Sequence, residues 1–133
     1  MMASIIREVV IESSADDVWK VVGDFATGPS RMAPGFVVDT VVEGDRRTVT
    51  FGNGSVAVER FVSLDDDARR LAYSVVGGTV EPEHDNAVFQ VVADGERRCR
   101  VVWTRDVLPE ELAAPIADAM SRGLSVVKQT LDR

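Results

Sequence analysis

The residues able to do chemistry in this sequence are few and scattered. His84 is the one histidine, at the lip of a segment, Gly77 to Pro82, rich in turn formers. There it could serve as a general acid or base, or simply be a solvated loop residue. Cys99 is the one cysteine and no internal disulfide can form; a free cysteine without an oriented histidine behaves as a small buried hydrophobe. Asp65-Asp66-Asp67 supplies three carboxylates, but consecutive residues of a tight turn point different ways, as in a solvated turn and not a metal site. Gly52-Asn53-Gly54 is not a phosphate loop, because no helix follows to present its N–H groups. Glu59 is the sharpest candidate. Alternation in its strand is ambiguous, with Ala57, Glu59 and Phe61 competing against Val58, Arg60 and Val62 for the inner face. If Glu59 is inside, its carboxyl must carry a raised pKa or find a cation, and strand parity offers Arg7 and Arg105. No nucleophile, base and orienting group stand together, which favours binding over covalent chemistry.

The elements that must position these residues follow from the punctuation. Ile5 to Ile11 reads as a strand. Ser13-Ser14-Ala15-Asp16-Asp17 offers a capping box, with Ser14 accepting from the N–H three residues on, and starts a short helix bearing Val18, Trp19, Val21 and Val22. Trp19 is expected to pack that helix onto the sheet. Phe25 to Pro34 reads as a second short helix or loop, with Gly28-Pro29 and Pro34-Gly35 as breakers. From Phe36 onward six strand-like runs follow, separated by turns rich in Gly, Asn and Asp. Connections that short make the strands antiparallel. In the later strands Leu71, Tyr73 and Val75 should face inward, with Ala87, Phe89 and Val91, and with Cys99, Val101 and Trp103.

The last segment changes period. Leu112, Ile116, Ala119, Met120, Gly123, Leu124, Val127 and Leu131 recur at three- and four-residue steps, one face of a long helix. The expectation is an α+β helix-grip domain spanning residues 1–133. Its seven-stranded antiparallel sheet curls around the C-terminal helix, with two short helices after strand one. One helix cannot fill such a grip, so a cavity should remain, with Ile116, Met120 and Val127 on its helical wall and Gly123 leaving room beside Met120.

Composition narrows the partners. The formal net charge of −7 repels phosphate backbones and anionic lipid, which argues against nucleic-acid and membrane binding. No apolar run approaches the ~20 residues of a membrane helix, and no signal-peptide core opens the chain. A cytoplasmic protein, monomer or homodimer, is expected.

Ile11 to Trp19 followed by Gly23-Asp24-Phe25 resembles the opening of bacterial polyketide cyclase/dehydratase-like proteins of the START/Bet v 1-like (SRPBCC) superfamily. Val58 to Phe61, Asp65 to Gly78, Val101-Val102-Trp103, Leu108-Pro109 and Gly123-Leu124 continue the likeness. Val58 to Val91 is also similar to plant abscisic-acid receptors. That similarity turns Glu59 and Phe61 inward, because the matching glutamate meets the ligand network through water. It sets Asp85 where the receptors carry a pocket tyrosine and Ala87 where they carry a pocket serine. The receptors' gate is replaced by Phe51 to Ser55 and their latch by Val80-Glu81-Pro82, so plant-type hormone recognition is not expected. The resemblance implies a hydrophobic ligand (a lipid or an aromatic, polyketide-like metabolite), no cofactor and no metal. Its contacts would be Glu59, Phe61, Tyr73, Asp85, Ala87, Phe89, Trp103, Ile116, Met120 and Val127. The alternative is an aromatase/cyclase or dehydratase using Glu59 with Tyr73 or His84.

Overall fold

The computed structural model describes residues 1–133. β1 (Ala3–Ile11) leads into α1 (Ala15–Val22), where the Ser14 hydroxyl accepts from Asp17 N–H at 3.1 Å and caps the helix as its sequence requires. α2 (Gly28–Met32) is one short turn whose first residues are the Gly28-Pro29 pair. These open the helix instead of breaking it, since proline's missing N–H costs nothing in a first turn.

Six strands then run in a meander: β2 (Val37–Glu43), β3 (Arg46–Phe51), β4 (Val56–Asp65), β5 (Arg70–Gly78), β6 (His84–Ala93) and β7 (Cys99–Leu108). The sheet order is β1-β7-β6-β5-β4-β3-β2, antiparallel throughout. β1 therefore has a single neighbour, β7, the last strand made. A one-turn 3-10 helix at Glu110–Leu112 passes into α3 (Ala113–Leu131), which packs across β1. The end of α3 is clasped to the start of α1: Asp132 Oδ1 accepts from Glu12 N–H at 2.8 Å and Ser13 Oγ donates to Leu131 O at 2.8 Å.

The concave face carries the core. Ile11, Val18, Val22, Leu71, Val91, Cys99 and Val101 are buried together with Leu124 and Val127 of α3. The inward parity expected for β5, β6 and β7 is the parity observed. Trp19 is buried and donates from Nε1 to Asp66 Oδ1 at 2.9 Å, while Asp65 Oδ1 accepts from Ala68 N–H. Two of the three turn carboxylates thus organise the β4–β5 connection.

Met120 departs from its expected place. It is fully buried in a second, smaller cluster with Ile5 and Val107, where the first half of α3 rests on β1 and β7. It is solid core and not a cavity wall. Helical period identified the apolar stripe but not where along its length the helix leaves the sheet. Met120→Trp should overpack this cluster and cost ~1–3 kcal/mol, seen as a lowered melting temperature with probe uptake by the cavity retained.

Cys99 has no exposed surface, and burial pushes its thiol from 9.0 up to about 11. The folded chain then holds this proton while the unfolded chain releases it, so stability should fall as pH rises from about 9 towards 11. Thermal melts across that range should show a steeper loss for wild type than for Cys99→Ala.

Candidate functional site

The inner face of β3 to β7 and one side of α3 do not meet. Between them lies a cavity of about 490 Å³. Val49, Phe51, Ala57, Val75 and Phe89 give the sheet side an apolar lining, and Ile116, Ala119, Gly123 and Val127 give the helix side another. The opening is framed by the Gly52 to Ser55 turn, the Thr79 to Pro82 loop, Phe36 and the start of α3. Two glycines shape this rim. A Cβ at Gly123 would stand 3.1 Å from the Phe36 ring, so the ring seats on bare helix backbone; a Cβ at Gly52 would strike the Gly35 carbonyl.

The floor is polar and buried. Arg47 of β3 lies directly opposite Glu59 of β4, and its Nε donates to Glu59 Oε1 at 2.8 Å. Nη1 of Arg47 donates to Phe25 O at 3.0 Å, and the guanidinium lies 4.5 Å from the Phe25 ring and 4.9 Å from that of Tyr73. With 1% of its side chain exposed, this arginine is held by one carboxylate, one carbonyl and two aromatic faces. A second pair stands beside it. Arg105 of β7 grips Asp85 of β6 with both arms of its guanidinium, Nε to Oδ1 at 3.1 Å and Nη2 to Oδ2. Such a fork is the strong form of carboxylate recognition. Between the pairs is Tyr73, whose hydroxyl accepts from Trp103 Nε1 at 3.2 Å. Burial, with the Glu59 carboxylate adding to it, pushes the Tyr73 phenol far above its ordinary range, so it stays a neutral O–H.

The aromatic wall follows from strand register. Phe89 is paired directly with Trp103, and their rings stack at 4.5 Å between centroids; Tyr73 stacks on Phe89 at 6.3 Å. Ala87 is the direct neighbour of both Tyr73 and Arg105. Its methyl leaves room for those two long side chains to converge above it.

Glu59, Tyr73, Asp85, Phe89, Trp103, Ile116 and Val127 all line the cavity as expected. Ala87, Phe61 and Met120 do not. Ala87 is covered by its larger neighbours. Phe61 sits beyond the cavity in edge-to-face contact with Phe25, and 37% of it is exposed. The register shift between Phe61 and Ser63 comes only after Phe61, which stays opposite Tyr73 on the same face as Glu59. Met120 is core, as above. His84 opens β6 opposite Leu108 and is absent from the wall.

The expected cations are also redistributed. Arg105 serves Asp85 and not Glu59. Arg7 points away, donating to Ser121 Oγ at 3.2 Å and to Ile6 O, because α3 crosses β1 between it and the cavity. The partner of Glu59, Arg47, was missed by strand parity alone. A signal existed, since Arg47 and Glu59 stand six residues either side of Asn53 in the β3–β4 turn, which makes them cross-strand neighbours.

Pairing changes what Glu59 substitutions should do. Removing one member of a buried ion pair strands the other charge, so Glu59→Leu should cost ~3–5 kcal/mol. The double change Arg47→Met with Glu59→Leu should recover most of that loss. Denaturant melts of the two singles and the double close the cycle; additive losses would show that the two charges are not coupled.

Comparison with known proteins places this geometry. Among curated proteins no match to the sequence is found. A protein from Thermobifida fusca, solved by solution NMR, is 32% identical with a TM-score of 0.78, over 94% of this chain and 90% of that one. XoxI from Bacillus cereus superposes with a TM-score of 0.86 at 21% identity, over 97% and 95% of the two chains. Norcoclaurine synthase from Thalictrum flavum, solved with dopamine and hydroxybenzaldehyde, has a TM-score of 0.70 at 21% identity, over 94% and 85%. The two likenesses at 21% speak for the fold alone, and that fold is the Bet v 1-like helix grip. The family described as "Polyketide cyclase / dehydrase and lipid transport" matches residues 2–133, and the chain belongs to that family.

Proposed function

We propose that this protein holds a small, largely apolar molecule in the cavity between sheet and α3, by binding and not by covalent chemistry. The observation that carries the reading is the cavity of about 490 Å³. It falls within the ~300–1,000 Å³ of ligand sites and has their usual form, apolar walls with a few converging polar groups. A void left in a core forfeits the contacts that a filling side chain would make, so a cavity this size is explained by an occupant. The family description names both catalysis and lipid carriage and is compatible with a carrier. The Thalictrum synthase, crystallised with two small aromatic molecules, supports the capacity of this fold to admit such ligands.

The competing reading is an enzyme with an acid/base pair on the wall. Glu59 and Tyr73 are both there, which is what such a reading needs. Glu59, however, is tied to Arg47, and burial holds Tyr73 in its protonated form. His84 stands off the wall. A general base must be free to take a proton near neutral pH, and these groups favour positioning over proton transfer. No helix is long and apolar enough to cross a membrane. A lipid or aromatic metabolite taken up from aqueous surroundings is the ligand class this reading favours.

Titration with the neutral fluorophore N-phenyl-1-naphthylamine should show saturable uptake at one site per chain. Ala57→Phe and Val75→Phe add rings where the wall has empty volume before it. Each should abolish uptake while holding or raising the melting temperature, because burial gains roughly 25 cal/mol per Å² of apolar surface. Absence of uptake by wild type, or uptake indifferent to both substitutions, would remove the proposal.

A further inference from the structure

Resting on that reading, we infer that the cavity selects an uncharged ligand whose polar end is a carbonyl oxygen, docked on the hydroxyl of Tyr73.

The first argument is charge. The floor contains two cations, Arg47 and Arg105, and two carboxylates, Glu59 and Asp85, each cation already paired with its own carboxylate. The pairs cancel. The third cation of the lining, Arg122, stands on α3, largely exposed and paired with Asp118. At this floor an anionic ligand end would find no uncommitted positive charge and would lie beside two carboxylates, and a cationic end would meet two guanidinium groups. Either would lose its hydration without gaining a counter-ion, which a neutral group avoids.

The second argument is hydrogen-bond inventory. A phenol has one proton to donate and lone pairs to accept with. The Tyr73 oxygen accepts from Trp103 Nε1, and that is the one hydrogen bond its hydroxyl makes. Its proton is therefore unspent, on a side chain with 2% of its surface exposed that lines the cavity. The Trp103 bond also polarises the hydroxyl in the sense that suits an acceptor beyond it. Alongside runs the Phe89–Trp103 stack, an apolar wall for a flat, ring-bearing ligand body.

Three naphthalenes separate the ideas: 6-propionyl-2-(dimethylamino)naphthalene as the ketone, 2-ethylnaphthalene as the hydrocarbon and 2-naphthoate as the anion. The ketone should bind tightest and the anion weakest. Its carbonyl stretch when bound to wild type should fall below the value in hexane. Tyr73→Phe should weaken the ketone roughly three- to tenfold, the worth of one hydrogen bond, and leave the hydrocarbon unchanged. The double variant Tyr73→Phe with Trp103→Phe also removes the indole N–H that lines the cavity and tests whether it substitutes for the hydroxyl. Ketone affinity equal to that of the hydrocarbon, an unshifted carbonyl stretch, or naphthoate binding tightest would overturn this inference with the cavity reading intact. Failure of the ketone and the hydrocarbon alike would overturn the cavity reading instead.

Discussion

A sheet that curls through seven strands has more concave surface than one helix can cover, and the rest of the molecule answers to that mismatch. α3 solves it by lying to one side, across β1, where Met120, Ile5 and Val107 make a compact contact. The other side of the grip, under β3 to β7, is left without a filler. The short helix α2 and the ring of Phe36 close part of that space, and Phe36 reaches the helix because position 123 lacks a side chain. What remains is the cavity. Its polar floor is built from side chains of β3 to β7 that converge on the cavity.

Convergence has an electrostatic cost. Two ion pairs stand in a space whose walls are mostly apolar, and each of the four groups would be intolerable there alone. Pairing, the Phe25 carbonyl and the aromatic faces around Arg47 offset the lost hydration. Replacing such an arrangement by hydrocarbon is often neutral or stabilising, so stability alone gives no reason for it to be here. A site that must meet a polar end of a ligand does give one. The same groups that would be liabilities in a core fix the orientation of Tyr73, Glu59 and Arg105 around the void.

The fold was legible because its signals are local. Turn residues marked each hairpin, Ser14 marked the start of α1, and a change of period marked α3; none of these depends on knowing the rest of the chain. The inner face of β5 to β7 was legible for the same reason, since flanking charges such as Arg98 and Arg100 set its parity. The site was legible only in part. Whether Met120 faces sheet or void depends on where α3 crosses β1, which the periodicity of α3 does not encode. Phe61 keeps the parity of Glu59, opposite Tyr73, but packs on Phe25 beyond the end of the cavity, and how far along a strand the cavity reaches is not encoded in alternation. The Arg47–Glu59 pair lay between these cases. It required treating the β3–β4 turn as a centre of symmetry and reading the two strands together, whereas parity reads each strand alone.

The pairing of β1 with β7 also sets an order of events during translation. A ribosome releases β1 first, yet the strand's one hydrogen-bonding neighbour, Cys99–Leu108, emerges only after every other strand. The meander from β2 to β7 can zip progressively by neighbouring hairpins, while Ala3–Ile11 waits with both edges bare. Closing that loop is the most non-local step in the sheet, and contacts of that kind form slowly. α3, whose docking surface is β1, must wait longer still. The nascent chain therefore passes through a stage in which an exposed apolar strand and an uncovered concave face coexist, the moment at which a holding chaperone would have most to shield.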